Sequence, residues 1–537
     1  MKMTNKYWKQ QALVVFISLF AISLASIVPF LLKDIIQYIQ DRDFSPIKPL
    51  FIVVIVVIFV RKTADFIFNY LFNNLYLLVS HDKRNEIFSH IMNSQLFRKQ
   101  TIDSTLIINR LLNETYAYGD IIGIAPIMLI INCIMFIVSG IVLCNINIYL
   151  FIGCCFFIPF VFMTTILMKK KIESASVQHR NKYEHLLKTI TEILNAFAEI
   201  KIMKAEQFIL SRFVNSNKNY LDSEKRMNKV QRLSTDISDI LFSILPVLCL
   251  LFGLYLITLG KSDIGGAVAF YLYLGFFIEP ITNLTSLRVR LIQSKKKKTL
   301  VEEIANAFEK ESVGHIHDIE CNKISLNSID YQYDANKVAF NLDINISAYG
   351  MYYVSGKSGV GKSTILKILT KILYSEKTQI MIDGVQLNNI TEQSYFEKAS
   401  YLNNSPQFFA GTIQENITFF GKYPADPEII PLFFDEDEEI DLQSELSLER
   451  GSSLSSGQLQ RLNILRLLVK GKRQKIIVLD EALSGIDESK ERKIISYLKN
   501  YFNESFIFIV IHRKSTKELC DFHIDVDIEK VAFSSLH

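Results

Sequence analysis

A chain of 537 residues is long enough for two or more domains, and 49% of it is hydrophobic against 21% charged. Its formal charge of +4 is too small to argue for nucleic acid, and its seven cysteines show neither metal-ligand nor disulfide spacing. Long apolar runs fill the first half while the second reads as a soluble α/β domain, so a membrane part is joined to a cytosolic part, with the division expected at residues 1–310 and 311–537.

Residues 1–11 are basic and hold the single tryptophan, Trp8, a residue type favoured at the membrane interface. Residues 12–32 are long enough to span a bilayer and too long for a signal-peptide core, and no small-residue cleavage site follows, so this span is expected to stay in the mature protein. Five further spans are predicted at 50–72, 121–144, 149–168, 240–259 and 266–284. With the N-terminus inside, the retained segments carry Lys83, Arg84, Arg98, Lys99, the lysines of 169–171 and those of 295–298. The outer segments, around Asp41, Asn145 and Lys261, are short. That asymmetry places the second half in the cytosol. Segments 82–96 and 173–232 are longer than a connection needs and interleave charges with periodic apolar residues, so they read as helical stalks continuing spans two to five. Charges within spans are costly. Arg61, Lys62 and Asp65 in span two and Glu279 in span six therefore either line a cavity or form a satisfied cluster, Arg61 and Asp65 being an i,i+4 pair. Cys133, Cys144, Cys154, Cys155 and Cys249 in or beside apolar runs, and Cys321 and Cys520 further on, read as small buried hydrophobes.

An amphipathic helix at 299–310 and a polar linker lead into strands at 324–333 and 338–347, with Tyr333 placed where its ring could stack on a purine. The apolar run 351–354 then meets Gly356-Lys357-Ser358-Gly359-Val360-Gly361-Lys362-Ser363-Thr364 and a helical run at 365–373. A strand, a glycine turn and a helix start let backbone N–H groups converge on a phosphate chain. In that setting Lys362 reaches the β/γ-phosphates and Ser363 a magnesium ion. Residues 475–479 form a continuous apolar run, the mark of a buried parallel strand, ending in Asp480 and Glu481. Carboxylates at such a strand end sit where ligands bind: Asp480 to hold magnesium through water, Glu481 to polarise the water that attacks the γ-phosphate. A second buried strand, 505–511, ends in His512, placed to touch the γ-phosphate. Between them, Leu454-Ser455-Ser456-Gly457-Gln458 opens a helical run at 459–469, a second anion-binding turn far in sequence from the first.

Together these motifs resemble an ATP-binding cassette (ABC) exporter half-transporter of the type IV exporter fold, and the similarity covers essentially the whole chain. Gly356 to Thr364 is similar to the Walker A motif, 476–481 to Walker B with its catalytic glutamate, Leu454 to Gln458 to the family signature, 484–487 to the D-loop, His512 to the switch histidine and Tyr333 to the adenine-stacking residue. Glu449-Arg450-Gly451 is similar to the stretch facing the coupling helices, and 83–96 and 192–206 to the two intracellular stalks. The resemblance implies an all-α six-helix transmembrane domain with long cytoplasmic stalks, plus an α/β P-loop ATPase domain with a helical subdomain. It implies ATP and Mg2+ as cofactors, and a second half-transporter as partner. ATP would lie between one subunit's Walker A and the Ser455, Gly457 and Gln458 signature of the other. Because this chain has both halves of an ATP site, a homodimer is the simplest assembly, a heterodimer the alternative. Two positions depart from the pattern: Ser456 stands where glycine is usual, and Asn404 where the magnesium-contacting glutamine is expected, with Gln407 nearby as a substitute. The run 435–439 is acidic and reads as solvated surface. The implied activity is ATP-driven export by alternating access, the cargo being a small molecule or a peptide, as in the bacteriocin export group. A lipid or multidrug exporter is the alternative within the class, and an ATP-gated conduit the alternative outside it. No peptidase domain is expected ahead of span one, and the Ile/Lys/Asn-rich usage fits a bacterium with an AT-rich genome.

Overall fold

A computed structural model describes residues 6–40, 42, 44–94, 104–261, 264–307, 314–332, 337–424, 429, 433–434, 440–446, 454–511, 513–527 and 531–535. The chain divides into two compact units, the first holding the described residues up to Asn93 and from Ser104 to Ala307, the second holding Ser94 and the described residues from Gly314 on.

Six long helices build the first unit: α1 Trp8–Gln40, α2 Ile47–Met92, α3 Ala125–Ile146, α4 Ile148–Asn195, α5 Glu206–Thr258 and α6 Ile264–Ala307. Each carries one of the predicted spans, the third beginning in the π-helical stretch Gly119–Ile124 that leads into α3. Among the described residues, Trp8–Ile36, Thr105–Ile146 and Ile264–Asn306 are long and apolar enough to cross a membrane, and Ser243–Thr258 is a shorter apolar helix. A bilayer demands that backbone groups be satisfied within the segment, which helices do. Their outer faces match: Phe16, Phe59 and Phe66 are each at least 70% exposed, a pattern suited to lipid rather than water.

Inner faces follow the helical repeat. On α1, Val14, Ser18, Ala21 and Ala25 are buried at spacings of four, three and four, a stripe of mostly small side chains that lets neighbouring helices approach. Turns between spans are tight. Asn147 alone separates α3 from α4, its side-chain oxygen accepting from the N–H groups of Tyr149 and Leu150 at 3.0 and 3.3 Å. Past the apolar spans, α2, α4 and α5 simply continue, and α4 and α5 pack along each other as an antiparallel pair joined by the short helix Phe197–Ile202. Stalk 173–232 is thus a hairpin of two helices. Nor is the expected helix at 299–310 a separate element: as far as it is described it is the last part of α6, which runs unbroken from the span. The entry to α3 is pinned to α6 by buried Asp120, which accepts from Arg290 Nε at 2.7 Å and Ser294 Oγ at 2.5 Å. At Gly119 a Cβ would lie 2.4 Å from Ser80 Oγ, so glycine permits the close crossing with α2. Cys154, Cys249, Cys321 and Cys520 are buried as expected. Cys133 is not: it lies exposed on α3, among apolar side chains of the outer face.

Two larger sheets and a two-stranded pair organise the second unit. Strands β1 Ile324–Gln332, β2 Lys337–Ile346, β3 Gly350–Ser355, β4 Gln379–Ile382, β5 Val385–Gln386, β6 Ala399–Asn403, β7 Gly411–Thr412, β8 Glu445–Leu446, β9 Ile476–Asp480, β10 Phe506–Val510, β11 Phe522–Val526 and β12 Val531–Ser535 are joined by α7 Lys362–Leu369, α8 Ser456–Val469 and α9 Glu488–Tyr501 with shorter turns. One larger sheet is antiparallel, β2-β1-β4-β5; the other has the order β12-β11-β3-β10-β9-β6 and is parallel apart from its β12 edge; the two-stranded pair is β7-β8. β9 is buried on both faces: Ile476 and Val478 pack with α7 and the antiparallel sheet, Ile477 and Leu479 with α8 and α9. That two-sided burial is why its sequence is a continuous apolar run.

Candidate functional site

The site grows out of the register of the parallel sheet. Asp480 at the end of β9 pairs with Val510 on one side and Asn403 on the other, while Ile509 of β10 opposes Tyr353 of β3. The segments leaving β3, β9, β10 and β6 therefore emerge along one edge, the edge where open α/β sheets bind ligands. With β10 between them, the ends of β3 and β9 are two strand spacings apart, roughly 10 Å.

From β3 the chain enters the glycine-rich loop. Gly356, Gly359 and Gly361 have φ of +141°, +79° and +114°, a region that side-chain-bearing residues avoid. Space forbids a side chain as well: a Cβ on Gly356 would sit 2.2 Å from the Val526 carbonyl oxygen, and one on Gly361 2.9 Å from Val338. Gly361 then caps α7, whose first residue is Lys362. The Lys362 ammonium donates to the carbonyls of Gly356 and Lys357 at 2.7 and 2.9 Å, closing over its own loop. Ser358 and Val360 lie within this loop, and Ser363 and Thr364 occupy the first turn of α7, Thr364 buried. Beneath the loop, β11 supplies a polar layer that the sequence did not announce. Ser355 Oγ meets His523 Nε2 at 2.7 Å and donates to Asp525. The His523 ring stacks on Tyr353, and burial pushes its pKa below the usual imidazole value.

At the acidic strand end, buried Asp480 accepts from Tyr401 Oη of β6 at 2.6 Å, which fixes its carboxylate. Glu481 follows with φ +53°, a left-handed conformation that costs a non-glycine residue of order 1 kcal/mol or more. Its carbonyl accepts from Ser484 N–H at 3.2 Å, closing the turn. Asn404 leaves β6 one residue beyond the partner of Asp480, so the register brings it to the same edge.

The second predicted turn is built as a helix cap. Ser455 Oγ accepts from the Gln458 N–H at 3.2 Å, and Gln458 Oε1 accepts from the Ser455 N–H at 2.8 Å, a reciprocal capping box on α8. Gly457 is required within the chain, since its Cβ would lie 2.6 Å from the Gly485 carbonyl oxygen. Ser456 Oγ also faces that turn, 3.3 Å from where a Gly485 Cβ would stand. Each of the two turns closes on itself: Lys362 bonds back to its own loop, and Ser455 and Gln458 bond to each other.

Three residues went unrecognised in the sequence. Buried Gln460, one turn into α8, donates to the Asn404 carbonyl at 3.1 Å and to Ser484 Oγ at 3.3 Å, and accepts from Gly485 N–H at 2.8 Å. It therefore ties Asn404 to the turn after Glu481. Arg466 reaches the loop after Asn404, donating to the Gln407 carbonyl at 2.6 Å and to Asn416 at 2.8 and 3.0 Å while stacking on Phe408. Arg513 donates to the Ile486 carbonyl and to buried Glu491, both at 2.7 Å. The only sequence signal for the first two was polar residues at positions of α8 that the apolar repeat would fill. Tyr333, His512, Glu449-Arg450-Gly451 and the acidic run 435–439 lie outside the described residues.

A nucleotide and magnesium fit this edge. A cradle closed to a Cβ at Gly356 and Gly361, with a lysine poised on its rim, suits a phosphate chain. No group of three or more His, Cys, Asp or Glu that could hold a metal occurs among the described residues. The hydroxyl of Ser363, the carboxylate of Asp480 and the amide of Asn404 are instead the sparse hard-oxygen set typical of magnesium sites that share a substrate phosphate.

Comparison with known proteins agrees with this geometry. The family model described as ABC transporter transmembrane region matches residues 12–281, and the one described as ABC transporter matches residues 339–484. The chain is 27% identical over 434 residues to a lactococcin-A transport/processing ATP-binding protein of Lactococcus lactis, a match covering 78% of this chain and 59% of that protein. It is 24% identical over 552 residues to a putative export ATP-binding/permease protein of Rickettsia typhi, covering 99% and 94%. Among solved structures, a bacterial Atm1-family ABC exporter with ATP bound superposes with a TM-score of 0.88 at 17% identity, over 98% of this chain and 95% of that one.

Proposed function

Since the chain belongs to the ABC transporter family, we propose that it is a multi-pass protein of a bacterial cell membrane that exports a cargo by alternating access, driven by ATP hydrolysis in a dimer of half-transporters. The observation that carries this is the shared sheet edge, where Lys362, Asp480, Glu481 and Asn404 leave neighbouring parallel strands or their loops. The backbone N–H groups of Gly356 to Gly361 and the Lys362 ammonium bind the β- and γ-phosphates, and Tyr333 stacks on the adenine. Ser363, Asp480 and Asn404 would hold magnesium, which when bound neutralises phosphate charge and orients it for in-line attack. Glu481 accepts a proton from the attacking water, and its strained backbone holds the carboxylate at the turn. His512 contacts the γ-phosphate. Ser455, Gly457 and Gln458 of one subunit close on the nucleotide of the other, which the capped start of α8 makes a fixed anion-binding turn. ATP binds the closed dimer better than the open one, so binding closes it and hydrolysis releases it. A homodimer with two equivalent sites is the simplest assembly.

A peptide cargo draws support from the lactococcin relatives, of whose length the chain spans 59% in the first case. The test is ATP hydrolysis in lipid nanodiscs by wild type and Glu481→Gln, with and without peptides. Loss of the general base should cut turnover by about 10²-fold or more while ATP still binds. Equal turnover in the two proteins would remove Glu481 from its role.

A further inference from the structure

The charges inside the apolar spans converge. A cavity of about 250 Å³ lies within the first unit, among α1, α2, α3 and α6. Its polar lining is Ser18 of α1, Arg61 and Asp65 of α2, Asn132 of α3, and Glu279 and Asn283 of α6. Every one of these comes from the apolar run of its helix, where a side chain that meets neither water nor a partner is costly. The two asparagines are engaged: Asn283 Nδ2 donates to Asn132 Oδ1 at 3.2 Å, and buried Asn132 donates to the Met128 carbonyl at 2.7 Å. Arg61 and Asp65 answer each other at 3.7 Å. Lys62, also 3.7 Å from Asp65, is 71% exposed and does not line the cavity. Both readings of this cluster therefore hold: it is part ion pair and part cavity wall. What remains is Glu279, which lines the cavity, is exposed to solvent in the single chain and forms no ion pair among the described residues.

The lining thus holds one cation and two carboxylates, and its remaining wall includes the rings of Phe68 and Phe276. Asp65 is answered by Arg61 and Lys62, so Glu279 is the lining carboxylate with no cation beside it, and a carboxylate among aromatic side chains is complementary to a single positive charge. We infer that Glu279 anchors a cationic group, a primary ammonium or guanidinium, of the transported molecule, with Arg61 and Asp65 setting the charge balance of the pocket. Its volume of about 250 Å³ admits the head of a larger molecule and not a folded peptide. This deepens the exporter reading and rests on it only for the statement that the bound molecule is cargo.

Equilibrium binding to the full chain in nanodiscs tests it, with empty nanodiscs as the partition control. The probes are a dansyl-tagged five-carbon primary amine, its N-acetyl derivative and the carboxylate of equal length. Saturable binding is expected, the amine at least about tenfold tighter than the other two. Glu279→Gln should reduce the amine to the level of the N-acetyl compound, and Glu279→Asp should keep the preference. No saturable binding, tightest binding by the carboxylate, or an unchanged preference in the Gln variant would each overturn the assignment. If that variant fails to fold, the wild-type order of the three probes decides. ATP hydrolysis is read on the same samples: turnover without amine binding sinks this site alone, and amine binding without turnover sinks the exporter reading alone.

Discussion

Lys470, just past the end of α8, donates its ammonium to the Phe396 carbonyl at 2.6 Å, the Ala399 carbonyl at 3.1 Å, Ser400 Oγ at 3.1 Å and Gln474 Oε1 at 3.2 Å. Burial outweighs these contacts and pushes its pKa down to about 8 from 10.5, with the Lys422 charge adding to the shift. A lysine that titrates lower when folded makes the native state bind fewer protons, so its cost is present below about pH 8 and fades as pH rises towards 10.5. Lys470→Met removes the titration. The stability of wild type relative to this variant should therefore rise between about pH 8 and about pH 10. Thermal melts of both proteins across that range check it, and a difference that is flat or falling would refute it. The same scale explains why Ser456 need not obstruct a ligand: its hydroxyl faces the Gly485 turn of its own chain.

Among the elements, α8 does more than present its first turn. Its N-terminal cap is satisfied internally, Gln460 fastens Asn404 to the Ser484–Gly485 turn, and Arg466 holds the loop that follows Asn404. One rigid helix thus sets the position of two segments on the site edge. Arg466→Met would take the arginine from the Gln407 and Asn416 carbonyls, while the Asn416 side-chain oxygen keeps the Phe409 N–H at 2.8 Å, at about 1–3 kcal/mol for the buried Asn416 carbonyl left without its donor. We expect a lowered melting temperature and weaker nucleotide-dependent turnover, measured by calorimetry and ATPase assay. Arg466→Lys should fail to restore either, because an ammonium cannot reproduce three donors in a planar fork and the stack on Phe408. Full rescue by lysine would show that only the charge matters.

For the molecule as a whole, the proposed homodimer would set the phosphate loop of one copy against the Ser455–Gln458 turn of another, two turns that lie far apart in sequence. The Glu481→Gln protein with ATP and magnesium should therefore run at about twice the 61.8 kDa of one chain once detergent is accounted for. Native mass spectrometry reads this directly, and a species of one chain under those conditions would speak against the homodimer. Local chemistry was legible in the sequence wherever one repeat or one short motif carries it. Apolar length gave the six long helices, of which, among the described residues, Trp8–Ile36, Thr105–Ile146 and Ile264–Asn306 are long and apolar enough to cross a membrane, the two-sided run 475–479 gave β9, and Gly356 to Thr364 gave the loop, because each is a property of neighbouring residues. The break of segment 173–232 into a hairpin, the merging of 299–307 with the last span, and the exposure of Cys133 were not legible. Nor were Gln460, Arg466, the Ser355–His523–Asp525 layer or the part of Asn132 and Asn283 in the cavity that Arg61, Asp65 and Glu279 line. These depend on partners far away in the chain. Which segments are apolar and helical, and which turns can hold a phosphate, was written in neighbouring residues, since local hydropathy and backbone sterics fix both. Only the tertiary structure decided which side chains meet, since that follows from strand register and helix packing between residues that the chain separates by tens to hundreds of positions.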